Sequence, residues 1–241
     1  MKRMHGFTLI ELAIVLVIIT ILIGGLAVPL STQIQARRIA ETKQILEEAR
    51  EAIIGYAMTH NTGGATPRPY LPCPDTNGNG IEEPRNAMGN CPQEIGRFPW
   101  VTLGTAAQDA WGNRLRYVAP AVLTNSLNGF NNGSKPTPNT PPDTWNQVCS
   151  AANCPVVNVA ADVPVVLVSH GANGWGARNV NGNTLALPTS NNELENLDAD
   201  GHYVSRPPSR PGDAAGEFDD LTAWLSFDVL INRVCPAGGC P

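Results

Sequence analysis

The chain has 241 residues, with 16 basic and 21 acidic side chains and a formal net charge of −5. No basic stripe or RNA-binding motif accompanies this acidic balance, so nucleic-acid binding through charge is not expected. Charged residues make up only 15% and aromatic residues 6% of the composition. These low contents predict that the loops are held by something besides a large core.

The N-terminal segment combines a basic leader with an apolar run. Lys2 and Arg3 precede Gly6, and over residues 12–30 Thr20 is the only polar side chain. At about 1.5 Å per residue the run nearly equals the roughly 30 Å of a bilayer core. A secretory signal peptide has a shorter apolar core of about 7–15 residues. The pattern predicts a single membrane span with a cytoplasmic N-terminus and an exported remainder.

One charged residue, Glu11, lies at the start of this apolar segment. A charge near the middle of a spanning helix costs about 2.5–3.5 kcal/mol on insertion scales. We therefore expect the carboxylate to have a use within the membrane.

The sequence MHGFTLIEL resembles the cleavage and methylation motif of type IV pilins and type II secretion pseudopilins. The resemblance implies that prepilin peptidase cuts after Gly6 and methylates the new amine of Phe7. It also implies that Glu11 of an incoming subunit neutralises the Phe7 amine of its neighbour inside the membrane. On parallel helices this four-residue separation gives an axial offset of about 6 Å, which generates a fibre. The alternative is that Glu11 snorkels to the headgroups or pairs with its own terminus.

The helical pattern continues beyond the membrane through residues 31–60. Leu46, Ala49, Ile53 and Tyr56 recur at steps of three and four residues. This spacing predicts an apolar stripe that lies against a globular domain.

Residues 61–241 predict one loop-rich domain. The segment around Asp109, Trp111 and Tyr117 resembles a turn and strand of major pseudopilins, also through Gly112 and Asn113. The residue types predict a structural role for this segment: Trp111 and Tyr117 pack on the long helix, and Leu115 to Val118 begins the sheet. Val163 to Ser169 is predicted to form a buried strand. The predicted fold is α+β and pilin-like, with a long helix packed on a four- or five-stranded antiparallel sheet.

Six cysteines fall into neighbouring pairs along the chain. An even number of cysteines in a chain expected to be exported favours disulfides that close loops. The two CxxxxC spacings leave open a site with four zinc thiolates. The predicted nearest-neighbour pairs are Cys73 with Cys91, Cys149 with Cys154, and Cys235 with Cys240.

Two acidic segments are candidate calcium sites. The first places oxygen-bearing side chains at alternate positions before a glycine, as in the first half of a calcium loop, although Asn86 stands where an EF-hand would have its glutamate. The same residues also make ordinary turns. The candidate ligands in this loop are Asp75, Asn77, Asn79 and Glu82, with Glu83 adjacent.

The second segment follows a glycine-rich stretch, VPVVLVSHGANGWGA, that resembles the pseudopilin loop preceding a calcium-binding aspartate. By that resemblance Asp219 and Asp220 are candidate ligands, with Asp198 and Asp200 as alternatives. The chain departs from the shorter major pseudopilins by an insertion over residues 196–217. The glycines do not form a dinucleotide fingerprint, and adjacent Ser169 and His170 do not make a catalytic pair.

These features predict a filament subunit rather than an enzyme. The expected organisation is a leader over 1–6, a transmembrane and polymerisation helix over 7–30, its amphipathic continuation over 31–60 and an exported domain over 61–241. The insertion suggests a minor subunit.

The expected partners are other pilin or pseudopilin subunits, prepilin peptidase and an inner-membrane assembly platform. The expected location is the inner membrane, with the C-terminal domain in the periplasm, and then the assembled filament. The competing interpretation is an exported enzyme or calcium-dependent binding domain held by an uncleaved or ordinary signal anchor.

Overall fold

The computed structural model describes residues 8–135, 145–154, 157–235 and 240, with the backbone alone for residues 23–30. The helices are α1 (Leu9–Thr59), α2 (Trp100–Leu103), α3 (Ala121–Thr124), α4 (Asn191–Glu195) and α5 (Phe227–Val234), with a 3-10 turn at Asn132–Ser134. The strands are β1 (Ile95–Arg97), β2 (Arg116–Val118), β3 (Asn146–Cys149), β4 (Ala160–Val163), β5 (Val165–Ser169), β6 (His202–Val204) and β7 (Leu221–Leu225). The predicted α+β class is confirmed.

The chain divides into two compact units, Met1–Ala40 and Glu41–Pro241. Helix α1 has 51 residues and contributes to both units. The second unit therefore contains the last turns of α1 together with both sheets.

In the first unit, every side chain from Thr8 to Leu22 is exposed. No helix in the described part of the chain is both long and apolar enough to cross a membrane. The span predicted over residues 7–30 lies partly outside that description, at Phe7 and at the side chains of residues 23–30.

In the second unit, the predicted stripe of α1 is buried. Ile53 is fully enclosed, and Leu46, Ala49 and Tyr56 are each no more than 6% exposed. The residues recur every three or four positions because that spacing returns to the same face of a helix. This prediction is confirmed.

The four-stranded sheet has the order β1-β2-β5-β7, with antiparallel pairing throughout. Tyr117 and Leu167 on one face join Leu46 and Ile53 of α1 in a single apolar core. Tyr117 thus packs with the helix as predicted. Trp111 is not part of this core.

A second, three-stranded sheet was not predicted. Its order is β4-β3-β6, and the β3–β6 pair is parallel. Val148 and Tyr203 of this sheet pack with Val166 and Val168 on the face of the main sheet opposite α1. The main sheet is therefore covered on both faces.

The prediction of one strand through Val163 to Ser169 was wrong in detail. The chain changes sheet at Pro164, so that Val163 ends β4 and Val165 begins β5. Proline has no N–H to donate and a fixed φ, which interrupts a ladder. The Asn146 side-chain amide donates to the Val163 carbonyl at 3.1 Å and stabilises this corner.

The six cysteines form the three nearest-neighbour disulfides that the sequence favours. The bonds join Cys73 to Cys91, Cys149 to Cys154, and Cys235 to Cys240. All six sulfurs are consumed in this way, so the thiolate zinc alternative has no ligands.

Glu82 fastens the Cys73–Cys91 loop to helix α1. Its carboxylate accepts hydrogen bonds from the Tyr56 hydroxyl at 2.7 Å and the Cys73 N–H at 3.1 Å. Arg85 donates to the same carboxylate at 2.8 Å and also to the Leu71 carbonyl at 2.8 Å. Glu82 and Arg85 are half-buried, so water cannot fully replace the hydrogen bonds and the counter-charge that each provides to the other.

We predict that Glu82→Gln lowers the free energy of unfolding by about 1–3 kcal/mol, because Arg85 would stay in place without its counter-charge. Urea unfolding of the full chain in nonionic detergent, with disulfides intact, measures this change. Glu48→Gln, on the exposed face of α1, should shift it by no more than about 0.5 kcal/mol. Equal effects of the two substitutions would contradict the anchoring role.

Candidate functional sites

Thr8 and Glu11 form a capping box at the start of α1. The Thr8 backbone N–H and hydroxyl each donate to Glu11 Oε2 at 2.9 Å, and the Glu11 N–H donates to the Thr8 hydroxyl at 3.3 Å. Sequence reasoning missed this role, although the Thr-x-x-Glu spacing is its usual signal. Gly6 and Phe7 lie outside the described residues, so the cleavage site and the Phe7–Glu11 pair remain predictions.

The helix that follows this cap presents an almost uninterrupted apolar surface. Leu9 is 89% and Ile10 69% exposed, and the Leu, Ile and Val side chains through Leu22 are exposed as well. Apolar surfaces of this extent mark contact with a membrane or with other proteins. Glu11 therefore sits at the end of a surface suited to an apolar environment.

The first predicted calcium loop uses its oxygens to bind its own backbone. Asp75 is fully buried, and its two oxygens accept hydrogen bonds from the N–H groups of Gly78 at 2.6 Å and Gly80 at 2.9 Å. The side chains of Asn77 and Asn79 each accept from the N–H two residues ahead. These are the hydrogen bonds of Asx turns.

The two glutamates of that loop point to different partners. Glu82 binds Tyr56 and Arg85, as described above. Glu83 accepts from the hydroxyl of Thr76 at 2.7 Å and from the side-chain amide of Asn77 at 2.8 Å. The structure thus brings the predicted ligands into one loop without directing their oxygens at one point.

A second acidic cluster consists of Glu193, Asp219 and Asp220. One carboxylate oxygen from each lies within 4.8 Å of the others, and Glu193 and Asp220 are only 1% and 3% exposed. Helix α4 supplies Glu193, and the two aspartates directly precede β7. Gly171, at a φ of +58°, lies against Asp219 so closely that a Cβ there would clash with its carbonyl and carboxylate oxygens.

Two oxygens of the acidic cluster have no hydrogen-bond partner. Glu193 Oε2 and Asp219 Oδ1 are buried and unpaired within the described structure. The opposite oxygens are satisfied by Asn173, whose backbone N–H donates to Asp219 at 2.9 Å and whose side chain donates to Glu193 at 3.0 Å. Burying a carboxylate oxygen without a hydrogen-bond donor costs free energy of folding. Such an oxygen is therefore a candidate ligand for a cation.

Burial, together with the charges of Asp220 and Glu193, raises the pKa of the Asp219 carboxyl to about 7. Burial also raises the pKa of Glu193. Both shifts arise because an ionised carboxylate loses hydration here and faces like charges. A hard divalent cation with oxygen ligands would relieve both penalties.

Sequence analysis predicted Asp219 and Asp220 but missed Glu193, which lies 26 residues before Asp219. Residues 196–217 separate the two segments, so no local spacing indicates that they meet. The alternative Asp200 lies in a more exposed group with Glu195 and His202. The other alternative, Asp198, lies in neither group.

Asp109 has a structural role in the turn that precedes β2. Its Oδ1 accepts from the N–H groups of Trp111 and Asn113 at 2.9 Å, and its Oδ2 accepts from the Ser169 hydroxyl at 2.7 Å. These bonds shape the turn and tie it to the end of β5. The Ser169 hydroxyl is thereby directed at Asp109.

Comparison with known proteins identifies only the N-terminus. No curated protein and no solved structure matches the chain. Residues 1–27 match the family described as the prokaryotic N-terminal methylation motif. This stretch contains Gly6, Phe7 and Glu11. The chain therefore carries, over its first 27 residues, the signature of type IV pilins and pseudopilins.

Proposed function

We propose that this protein is a structural subunit of a type IV pilus-like filament or of a type II secretion pseudopilus. The supporting observation is that the methylation motif leads into an apolar helix whose side chains are exposed from Leu9 to Leu22. Bundling of such helices would remove this surface from water and form the core of a fibre. The globular unit would then form the fibre surface.

Glu11 is proposed to set the register of assembly. Removal of the leader after Gly6 gives Phe7 a free amine, which prepilin peptidase methylates. The Thr8 donors satisfy hydrogen bonds of Glu11 but leave its negative charge, and the Phe7 amine of a neighbouring subunit supplies the counter-charge. Pairing of the two charges offsets the cost of holding each alone in lipid.

The proposed route begins in the inner membrane, with the N-terminus in the cytoplasm and the globular unit in the periplasm. The assembly platform then transfers the subunit into the filament. The three disulfides are consistent with an oxidising compartment. The basic leader favours the same orientation.

We further propose a minor rather than a major subunit. The insertion over 196–217 includes β6, which completes the three-stranded sheet and adds a layer to the globular unit. A bulkier domain is easier to accommodate at a tip than in every turn of a fibre. No catalytic role is assigned, and the alternative is an anchored exported enzyme or calcium-dependent binding domain.

A second proposal is calcium binding by Glu193, Asp219 and Asp220. It rests on the two unpaired buried oxygens, one on Glu193 and one on Asp219. Calcium accepts six to eight oxygen ligands, so water or backbone carbonyls would complete its shell. The Asp75 loop is the weaker candidate because its oxygens already bind backbone N–H groups.

Glu11→Gln tests the filament proposal. Glutamine retains the acceptor needed for the capping box but removes the charge, so incorporation into filaments should fall by about tenfold or more. Thr8→Ala is the matched variant that weakens the cap and keeps the charge, and we expect a loss of less than about threefold, in line with a capping contribution near 1 kcal/mol. Immunoblots of sheared filaments against the membrane fraction measure both.

The disulfides and unfolding midpoint of the globular unit should be unchanged in both variants. Normal assembly of Glu11→Gln would refute the charge-pairing proposal. A loss in Thr8→Ala that matched the loss in Glu11→Gln would assign the effect to helix capping instead.

The calcium proposal predicts a rise in the unfolding temperature of the full chain on replacing EGTA with calcium. At 100 times the dissociation constant the rise should be about 5–10 °C. Asp219→Asn should abolish it, whereas Asp228→Asn, an exposed aspartate paired with Lys135, should retain it. Loss of the response in Asp75→Asn but not in Asp219→Asn would place the ion in the first loop and contradict the proposal.

A further inference from the structure

Four arginines line a single cavity of about 440 Å³ in the globular unit. They are Arg97 on β1, Arg114 before β2, Arg116 on β2 and Arg178 in the loop after β5, and each is half-buried. We call this the arginine cavity. It concentrates a quarter of the 16 basic residues of an acidic chain in one place.

The fold holds these like charges close together. Arg97 and Arg116 are directly opposite each other on antiparallel strands, where like charges destabilise a sheet. The guanidinium carbons of Arg97 and Arg178 lie 3.7 and 3.9 Å from the position that a Cβ on Gly78 would occupy. The Arg114 N–H donates to the Arg178 carbonyl at 2.8 Å, which fixes those two segments side by side.

The cavity contains too little negative charge to balance them. Among the described residues that line it, Asp75 is the one carboxylate. Asp75 is fully buried and lies 4.0 Å from the Arg97 guanidinium. Both of its carboxylate oxygens already accept hydrogen bonds from backbone N–H groups. Burial and the nearby charges of Arg178 and Arg114 lower the pKa of Arg97. The carboxylates of Glu83 and Asp198 act on Arg97 and Arg116 from outside the lining, and the lining itself keeps an excess of positive charge.

Neutral groups hold some of the guanidinium groups in place. Arg97 donates to the Thr76 carbonyl at 2.6 Å, and Arg116 donates to the Asp198 carbonyl at 2.8 Å. Arg114 stacks over the Trp100 ring at 4.0 Å and donates to the Ala107 carbonyl at 2.7 Å. These contacts orient the groups without neutralising them, as preorganised binding groups require.

Several donors in the cavity remain unused. Arg116 Nε is buried without a hydrogen-bond partner. The Arg178 side chain makes no hydrogen bond or ion pair within the described structure, although Arg178 is one of the residues that line the cavity. Each guanidinium offers five N–H donors in a planar fork that matches the oxygens of phosphate or carboxylate.

We propose that the arginine cavity binds a small soluble molecule through a phosphate group. Four arginines and one aspartate leave an excess that a single carboxylate would not balance. A phosphate ester carries a charge of about −1.5 to −2 at pH 7 and three acceptor oxygens. The arginines converge on one cavity instead of following a groove, which favours a compact anion over a nucleic-acid strand.

This site is independent of the proposed filament role, since it lies in the globular unit and involves none of the residues of the methylation motif. Anion binding at this site would explain why the sheet has Arg97 opposite Arg116. An anion that bridges them converts a repulsive arrangement into charge-assisted hydrogen bonds.

Calorimetric titration of the full chain in nonionic detergent with inorganic pyrophosphate tests the proposal. We expect saturable binding at one site that weakens with added NaCl. Arg178→Gln should weaken binding by about tenfold or more, since it removes charge-assisted hydrogen bonds. Its unfolding temperature without ligand should be unchanged or higher, because it removes repulsion. Arg210→Gln, an exposed arginine outside the cavity, should bind as the natural chain does.

A second measurement does not depend on the variants. Pyrophosphate should raise the unfolding temperature of the natural chain more than NaCl of the same ionic strength. The absence of saturable binding and of this rise would overturn the proposal. Equal weakening by the two glutamine substitutions would also overturn it, as would succinate binding as tightly as pyrophosphate or tighter binding of an oligothymidylate.

Discussion

Burial of the α1 stripe against the four-stranded sheet is the contact on which the globular unit depends. Ile53 and Tyr117 are completely enclosed in this core. The three-stranded sheet packs on the opposite face, so the main sheet lies between two apolar contacts. Its register therefore fixes where the flanking loops and charged side chains lie, including the opposition of Arg97 and Arg116.

Local sequence signals predicted the features that depend on local geometry. The α1 stripe follows from the 3.6-residue period, and a single stretch of the chain contains the methylation motif. Two other local signals were present in the sequence but were not used. Pro164 indicates that the apolar run is divided between two strands, because proline cannot donate a hydrogen bond to a β-ladder. The Thr-x-x-Glu spacing likewise indicates the capping box between Thr8 and Glu11.

The features that sequence analysis missed arise from contacts between distant segments. Glu193 lies close to Asp219 although 26 residues separate them, and the four arginines come together only when β1, β2 and the loop after β5 are in register. The parallel pairing of β3 with β6 has the same origin. No spacing within one segment encodes these contacts, so composition indicated an acidic chain without indicating its cationic cavity.

The three candidate sites share one physical theme, since each holds charge that its own subunit leaves unbalanced. In the globular unit the acidic cluster and the arginine cavity have opposite signs and adjoin at His170. That side chain lines the arginine cavity, and its Nδ1 lies 3.6 Å from Asp220 Oδ1. No ion pair joins the two charge groups within the described structure, and we propose a separate external partner for each.

We propose above all that processing converts this chain into a polymerising subunit with a new positive charge at its N-terminus. Mass spectrometry of the N-terminal peptide from the native protein tests it most directly. We expect a chain that begins at methylated Phe7. A chain that retains Met1, or one cleaved near Ala27, would contradict it.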